Sequence, residues 1–353
     1  MPTSASNPLA DALSEAVESG SRALNFRRPV LKWTQLGLLG VILVFSVVAI
    51  GDGGFRLFLQ RVINGLTNGS IYALAGLAIV LIFKATGVVN FAQGSMGMIG
   101  AFVVYLLVGG DKHSMPIGLA VILAVLISAV AAAGIERVLI RPFDPSNHLP
   151  IVIVTLALSL ILDGVAAAHF GPDQKAMPSI FPTAAGDFFT VGGARIRYSE
   201  AGIWLVLLAV MALLMLLLKT TKIGLAFRSV SSNLESSRLV GINVGRTLQF
   251  GWALAAAVGT LAAYLYATTS ALEPNLMVQI LIFAFVSATL GGLESIGGVV
   301  VGAVLIGLLQ SMLGSYVKQI GNELSLSAAF VVMMIVLLVK PTGLFGQKTL
   351  DRV

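Results

Sequence analysis

Charged side chains are scarce in this sequence of 353 residues, where Asp, Glu, Lys and Arg make up 11% and hydrophobic residues 57%. A soluble domain carries about 25% charged residues, which cover its water-facing surface. The mean hydropathy is correspondingly high, at +0.95. The composition therefore excludes a soluble enzyme and a nucleic-acid-binding protein, and it indicates a protein whose main solvent is the lipid bilayer.

Cysteine is absent, which excludes disulfides, thiolate metal sites and a cysteine nucleophile. The three histidines, His113, His148 and His169, show no spacing typical of metal ligands. The sequence also lacks a G-x-x-x-x-G-K-[ST] phosphate loop. We therefore expect no metal and no cofactor in this chain, and any ATP hydrolysis would need a separate subunit.

Long uncharged runs dominate the sequence. A helix needs about 20 apolar residues to cross the core of a bilayer. Ten such runs cover residues 33–51, 62–83, 85–110, 114–135, 145–162, 201–218, 247–272, 274–293, 295–317 and 324–339. With a cytoplasmic N-terminus, fifteen of the 22 Lys and Arg residues fall inside and seven outside, as the positive-inside rule expects. We predict an all-α polytopic membrane protein of about ten transmembrane helices, with both termini in the cytoplasm.

The runs divide the chain into a cytoplasmic N-terminal tail (1–32), a transmembrane domain (33–340) and a cytoplasmic C-terminal tail (341–353). Residues 169–200 are polar, with Gly and Pro, and are predicted to form a small external segment. Residues 219–246 carry five basic residues and form the longest predicted internal loop.

Two glycine-containing segments occupy related places in the pattern. Thr86–Ala101 reads TGVVNFAQGSMGMIGA, and Ala288–Ala303 reads ATLGGLESIGGVVVGA. Both pass from a polar break into a helix face of small residues, one in the third run and one between the eighth and ninth. Inverted repeats with broken helices are a common transporter plan. We therefore predict two inverted five-helix repeats with broken helices.

Small residues recur at helical spacing within these segments. Gly94, Gly97 and Gly100 follow one another every three residues, and Gly298 and Gly302 form a G-x-x-x-G pair. Such faces let helix backbones approach closely in lipid. Helix packing is therefore the simplest interpretation of most of these glycines.

Uncharged polar residues at membrane depth are the candidate translocation-pathway residues: Asn64, Asn68, Asn90, Gln93 and Thr155. They either tie helices together through hydrogen bonds or line a hydrophilic path. Asn90 and Gln93 are the better pathway candidates, because they lie three residues apart at a break flanked by glycine.

Ionisable residues are nearly absent from the interior of the runs. Asp163 lies near the outer end of the fifth run, and Glu136, Glu273 and Glu294 fall at run ends. A proton-coupled transporter usually needs a buried relay of Asp, Glu or His. A passive channel, a sodium-coupled carrier and a pore driven by an external subunit remain open. An intramembrane enzyme is disfavoured, because no catalytic pair lies at helical spacing.

The internal loop contains a segment typical of a short amphipathic helix that ends at a glycine. Such a helix, held outside the bilayer, could dock into a groove of a cytoplasmic partner; a surface helix that covers its own loop is the simpler alternative. Leu234, Arg238 and Val240 are not expected all to face solvent. The candidate docking residues are Asn233, Leu234, Glu235, Ser236, Ser237, Arg238, Leu239, Val240 and Gly241.

Three stretches together are typical of one family. Asn64–Gly100 contains NGLTNGSIYALAGL and GVVNFAQG, Lys222–Gly241 reads KIGLAFRSVSSNLESSRLVG, and Thr289–Gly346 ends in KPTGLFG. Over residues 58–346 the sequence resembles the membrane permease subunits of ATP-binding-cassette importers for branched-chain amino acids. It departs from the family pattern at Gln93, where His is frequent, and at Ser236-Ser237, where small alanines are typical.

The resemblance implies a bacterial inner-membrane subunit that forms the translocation pathway and performs no covalent chemistry. It implies a second homologous permease (or a second copy of this chain), two cytoplasmic ATPases that hold ATP and Mg²⁺, and an external substrate-binding protein. The 233–241 segment would dock on an ATPase. Related permeases carry urea and short amides, so that cargo and a stand-alone channel or carrier remain alternatives to branched-chain or other small amino acids.

Overall fold

The computed structural model describes residues 54–109, 115–143, 148–316, 325–340 and 343–345. The chain divides into two compact units, residues 1–58 and 59–353. Only the start of one helix is described in the first unit. The predicted N-terminal tail (1–32) and the first predicted run (33–51) lie outside the described residues, and their assignments stay predictions.

The described residues are mostly helical, because nearly all the long runs are apolar and uninterrupted by charge. The helices are α1 (Gly54–Thr86), α2 (Gln93–Val108), α3 (Ile117–Ile135, followed by a π turn at Glu136–Ile140), α4 (His148–Phe170), α5 (Tyr198–Thr220), α6 (Lys222–Ser232), α7 (Leu234–Leu239), α8 (Val244–Thr269), α9 (Met277–Gly291), α10 (Ile296–Tyr316) and α11 (Ser325–Val339).

Among the described helices, α1, α3 with its π turn, α4, α5, α8 and α10 are six that are long and apolar enough to cross a membrane. Helices α2, α9 and α11 are apolar but shorter. Each predicted run from 62–83 onward coincides with one of these helices. The polytopic helical class is therefore confirmed, while the count of ten and the inverted repeat stay predictions.

Residues 169–200 correct the all-α prediction, because they contain two strands, β1 (Phe188–Val191) and β2 (Ala194–Arg197). The strands pair antiparallel across Gly192 and Gly193, both of which have positive φ. Glycine reaches this conformation without steric cost, and two such residues make the turn that best matches the twist of a hairpin. The predicted small segment outside the helices is therefore a β-hairpin with its flanking loop.

The 169–200 segment lies at one end of the helices, here called the hairpin end. The backbones of Lys175 and Leu272 exchange hydrogen bonds of 2.9 Å, and the Tyr264 hydroxyl accepts from Ile180 N at 2.9 Å. Helix α5 has 23 residues and so spans about 35 Å to the opposite end, where α6 and α7 lie. This α6–α7 end and the hairpin end are on opposite sides, as the predicted alternation requires.

Glycine lets the central helices touch backbone to backbone. A Cβ atom on Gly97 of α2 would lie 2.8 Å from the carbonyl oxygen of Gly259 on α8. A Cβ atom on Gly69 of α1 would lie 2.8 Å from the carbonyl oxygen of Ala303 on α10. No real side chain tolerates such distances, so the packing interpretation is confirmed for Gly97, and Gly69 plays the same role.

Each of the two glycine-containing segments contains an interruption between two helices. Residues 87–92 separate α1 from α2, and residues 292–295 separate α9 from α10. Gly87 and Gly292 have φ of 73° and 101°, which end the preceding helices in a conformation that other residues avoid.

Part of the predicted C-terminal tail packs on the second interruption. Leu344 N donates to the carbonyl of Leu290 (2.7 Å), and Phe345 N donates to that of Gly291 (3.0 Å). The last carbonyls of a helix have no partner within the helix. The Gly-Leu-Phe sequence at 343–345 therefore caps α9 at the α6–α7 end.

Replacing Gly97 by Leu is expected to destabilise the helix bundle, because the side chain would force α2 away from α8. The matched control is Gly134→Leu in α3, where a Cβ atom meets nothing within 4 Å. Overpacking typically costs about 1–3 kcal/mol. Thermal unfolding of purified protein in detergent should show a lower midpoint for Gly97→Leu alone. Equal midpoints for both variants would contradict the close contact.

Candidate functional site

The interruption between α1 and α2 is organised by the side chain of Asn90. Its Oδ1 accepts a hydrogen bond from Ala92 N (3.0 Å), and its Nδ2 donates to Gln93 Oε1 (3.4 Å). An asparagine that binds the backbone two residues ahead forms a local turn. Asn90 is 1% exposed, so this turn is built inside the protein.

Gln93 joins the start of α2 to the middle of α8. Its Nε2 donates to the carbonyl of Ala255 (3.1 Å), and its side chain is buried. A Cβ atom on Gly259 would lie 2.5 Å from the same nitrogen. The absence of a side chain at Gly259 therefore makes the space that Gln93 occupies.

Thr155 brings α4 to the same interruption. Its hydroxyl accepts from Phe91 N (3.4 Å) and donates to the carbonyl of Val152 (3.0 Å). One turn further along each helix, the hydroxyls of Ser95 and Ser159 lie 2.9 Å apart. Sequence reasoning missed both serines, although Thr155 and Ser159 share the four-residue spacing of one helix face.

Asn90, Gln93 and Thr155 thus meet at one interruption, and each makes hydrogen bonds there. These bonds match the interpretation that polar side chains tie the helices together. They do not test a pathway role, which stays a prediction.

Asn64 and Asn68 lie elsewhere, so the five candidate pathway residues do not form one site. Gln60 Nε2 donates to Asn64 Oδ1 (3.2 Å) and to the carbonyl of Arg195 in the hairpin (3.1 Å). Asn64 therefore lies at the hairpin end, roughly 33 Å along α1 from the interruption at 1.5 Å per residue. Two asparagines of the same predicted role, Asn64 and Asn90, are thus separated by most of the length of α1.

The carboxylate of Asp163 lies within the span formed by α4. Asp163 follows Ser159 by four residues on α4 and precedes the helix end at Phe170 by about two turns, or roughly 10 Å. It is half-buried. Thr155, Ser159 and Asp163 follow one another every four residues and form one polar edge of α4. A charged group at this depth avoids lipid.

The predicted internal loop, 219–246, contains two helices, α6 and α7, and the predicted docking segment corresponds to α7. The Thr221 hydroxyl accepts from Gly224 N (3.0 Å) and caps α6, and Asn233 Oδ1 accepts from Ser236 N (2.8 Å) and caps α7. Such caps satisfy amide groups that have no partner in the first helical turn. Gly241 has a φ of 82° and turns the chain towards α8. The prediction missed α6, whose pattern was merged into the loop.

Helix α7 presents apolar side chains to the outside. Leu239 is 88% exposed and Val240 75%. Leu234 is half-buried, so Leu234, Arg238 and Val240 do not all face solvent, as expected. Six residues are too few for α7 to cover its own apolar surface, and only Ser237 within it is buried. An open groove of about 450 Å³ lies between α6 and α7, lined by Leu225, Arg228, Ser229, Ser232, Asn233, Ser236, Ser237 and Val240.

The α6–α7 unit is anchored to the helix bundle by one aromatic ring. Phe227 of α6 is fully buried, and a Cβ atom on Gly251 of α8 would lie 2.9 Å from its Cε2. The same Cβ atom would lie 3.3 Å from Cβ of Ala85 near the end of α1. Phe227 therefore fills a notch that Gly251 leaves open in α8.

Residues 61–339 match the family model described as the branched-chain amino acid transport system / permease component. The chain belongs to this family. The family is one of transport permeases, and the helices make this member a multi-pass membrane protein. Among the part of the chain that the structure describes, no group of three His, Asp or Glu residues is placed to hold a metal ion.

Several known proteins are similar over most of their length. LivH of Escherichia coli K12, a high-affinity branched-chain amino acid transport system permease protein, is 29% identical over 85% of this chain and 99% of its own. BraD of Pseudomonas aeruginosa, which has the same description, is 29% identical over 84% and 98%. The ribose import permease protein RbsC of Haemophilus influenzae is 22% identical over 84% and 91%.

One solved structure, PsaBC from Streptococcus pneumoniae in complex with Fab, matches with a TM-score of 0.43 and 16% identity. The match covers 84% of this chain and 96% of that one.

Replacing Gln93 by Leu in this permease should lower its stability, because Asn90 and the Ala255 carbonyl each lose a buried hydrogen-bond partner. Losses of this kind cost about 1–3 kcal/mol. Gln279→Leu, at an exposed position on α9, is the matched control. Unfolding midpoints in detergent should fall only for Gln93→Leu. A midpoint unchanged from that of the parent protein would contradict the role of this side chain in joining α2 to α8.

Proposed function

We propose that this chain is a permease subunit of an ATP-driven importer and forms a translocation pathway for branched-chain amino acids. The observation that carries the proposal is the family match over residues 61–339. It is supported by LivH and BraD, whose descriptions name high-affinity branched-chain amino acid transport. The protein would lie in the inner membrane, with the α6–α7 end and both termini in the cytoplasm.

The partners are a second permease subunit, two cytoplasmic ATPases and an external substrate-binding protein. The ATPases hold ATP and Mg²⁺, since the sequence has no phosphate loop of its own. The binding protein delivers the amino acid at the hairpin end. Helix α7 docks on an ATPase at the opposite end.

The exposed apolar tip of α7 supports the docking role. Leu239 and Val240 are exposed and lie outside the helices that are long and apolar enough to cross a membrane. Apolar residues presented by a short helix are suited to a groove on a folded partner. Arg228 and Arg238 add positive charge around this surface.

In the pathway that we propose, the solute enters near Asn64 and Asn68 and leaves past the interruption held by Asn90, Gln93 and Thr155. The polar edge of α4, with Ser159 and Asp163, lies between these levels. The amide and hydroxyl groups of Asn64, Asn90 and Thr155 suit a zwitterion with no net charge. ATP binding moves the ATPases, α7 follows, and the α1–α2 interruption changes which side it opens to.

Replacing Leu239 by Asp should weaken ATPase binding, because a charge would have to be buried in the partner's groove. Loss of a central contact typically weakens binding by more than about tenfold. Val191→Asp is the control, since Val191 is a half-exposed apolar residue of the hairpin at the other end. The amount of ATPase that co-purifies with each variant in detergent is the measurement. Equal recovery with Leu239→Asp and the parent protein would rule out α7 as the docking element.

Reconstitution tests the function itself. The permease, with its co-purifying subunits, is placed in liposomes with ATP on the ATPase side and the binding protein on the other. We expect radiolabelled leucine, isoleucine and valine to accumulate only when ATP and binding protein are both present. Uptake of urea instead would correct the cargo. Solute equilibration without ATP would make the protein a channel or carrier and overturn the proposal.

A further inference from the structure

A fully buried carboxylate lies where α3 ends. Glu136 is 1% exposed and pairs with Arg141, whose Nη2 lies 2.7 Å from Glu136 Oε2 and whose Nε lies 3.3 Å from Oε1. The two residues bracket the π turn Glu136–Ile140. A π turn is rare, and it is frequently found at functional sites. Here it places the guanidinium directly over the carboxylate.

Arg141 also reaches α8. Its Nη2 donates to the carbonyl of Gly245 (2.9 Å) and to Gln249 Oε1 (3.3 Å). The same glutamine returns a hydrogen bond from Nε2 to the carbonyl of Ala133 on α3 (3.0 Å). Arg141, Glu136 and Gln249 therefore clamp the end of α3 to the first two turns of α8.

The clamp is next to the docking element in the chain and in space. Helix α8 begins at Val244, directly after the turn at Gly241 that ends the α7 segment. Two turns into α8, Gly251 receives Phe227 of α6. The start of α8 is thus held on one side by α6 and on another by Arg141.

The middle of α8 in turn contacts the α1–α2 interruption, because Ala255 accepts the hydrogen bond from Gln93. A displacement of α6 and α7 would therefore be received by α8 and passed to α2 through the Gln93–Ala255 contact. Without the clamp, the start of α8 would be freer to move relative to the end of α3.

We propose that Glu136 and Arg141 form a coupling clamp, which makes α3 and α8 move as one body when the ATPases displace α6 and α7. The inference rests on the proposed function. Arg141 and Glu136 are positioning residues that touch neither solute nor nucleotide. An ion pair that only stabilised the fold would alter the amount of folded protein, whereas a coupling clamp sets how much solute moves per ATP hydrolysed.

The test uses the complete importer in liposomes and measures leucine uptake per ATP hydrolysed. The variants are Arg141→Gln and Arg141→Lys, because lysine keeps the charge beside Glu136 but lacks the planar fork that serves Glu136, Gly245 and Gln249 together. Arg137→Gln is the matched control, since Arg137 is exposed on the same π turn. We expect uptake per ATP to fall at least about fivefold in both Arg141 variants, with ATPase activity retained and Arg137→Gln unchanged.

A distance measurement gives a second readout, which the natural absence of cysteine makes direct. Spin labels are attached at Val138→Cys on the π turn and Arg246→Cys on α8, both exposed. With Arg141 present, their distance should be the same with and without ATP bound. With Arg141→Gln it should change on ATP binding, because α8 then moves without α3.

Wild-type uptake per ATP in the Arg141 variants would overturn the clamp. So would uptake and hydrolysis that fall in parallel with the amount of folded protein, with the label distance constant, because that pattern indicates a structural role alone. A parent complex with no ATP-driven uptake would instead overturn the proposed function, and the clamp with it. The parent measurement therefore separates the two failures.

Discussion

The close approach of α8 to α2 is the contact on which the rest of this structure depends. Gly97 lies against the carbonyl of Gly259 with no side chain between them, so the two backbones touch. In lipid, no hydrophobic effect drives apolar side chains together. Helices in a membrane therefore associate through close packing and hydrogen bonds. Because α8 lies this near, Gln93 can reach its backbone at Ala255. The start of the same helix then carries the α6–α7 unit.

Several of the polar side chains lie where hydrogen-bond or ion-pair partners are available. At the interruption between α1 and α2, Asn90 and Thr155 accept hydrogen bonds from the amide groups of Ala92 and Phe91, which precede α2. The ion pair of Glu136 and Arg141 lies at the end of a span, where the guanidinium is 36% exposed while the carboxylate is enclosed. Asp163 is different, since it lies about two turns inside α4, on the helix edge that also carries Ser159 and Thr155. These three polar groups thus lie at an interruption, at a helix end and along one helix edge.

Much of the fold could be predicted because the bilayer makes one strong demand on a spanning segment, a long run without charge. The runs, the breaks at Gly87 and Gly292, and the turn at Gly241 are all visible as local patterns. The hairpin was missed because strands of four residues leave almost no periodicity. Helix α6 was missed because its sequence mixes basic, polar and apolar residues, which is typical of a loop. The contact of its buried ring, Phe227, with Gly251 is visible only in the tertiary structure. Grouping Asn64 with Asn90 failed for a similar reason, since composition does not tell which end of a long helix bundle a residue occupies.

The sequence by itself determined that this chain is a membrane protein, where its long apolar helices lie and which family it belongs to. These properties follow from local composition and short motifs. Only the tertiary structure decided which residues meet. Gln93 with Ala255, Thr155 with Phe91, and Arg141 with Gly245 and Gln249 are separated by 64 to 162 residues along the chain. The Gln93–Ala255 pair forms because Gly97 and Gly259 permit α2 and α8 to touch, and the energy of that contact depends on both surfaces at once.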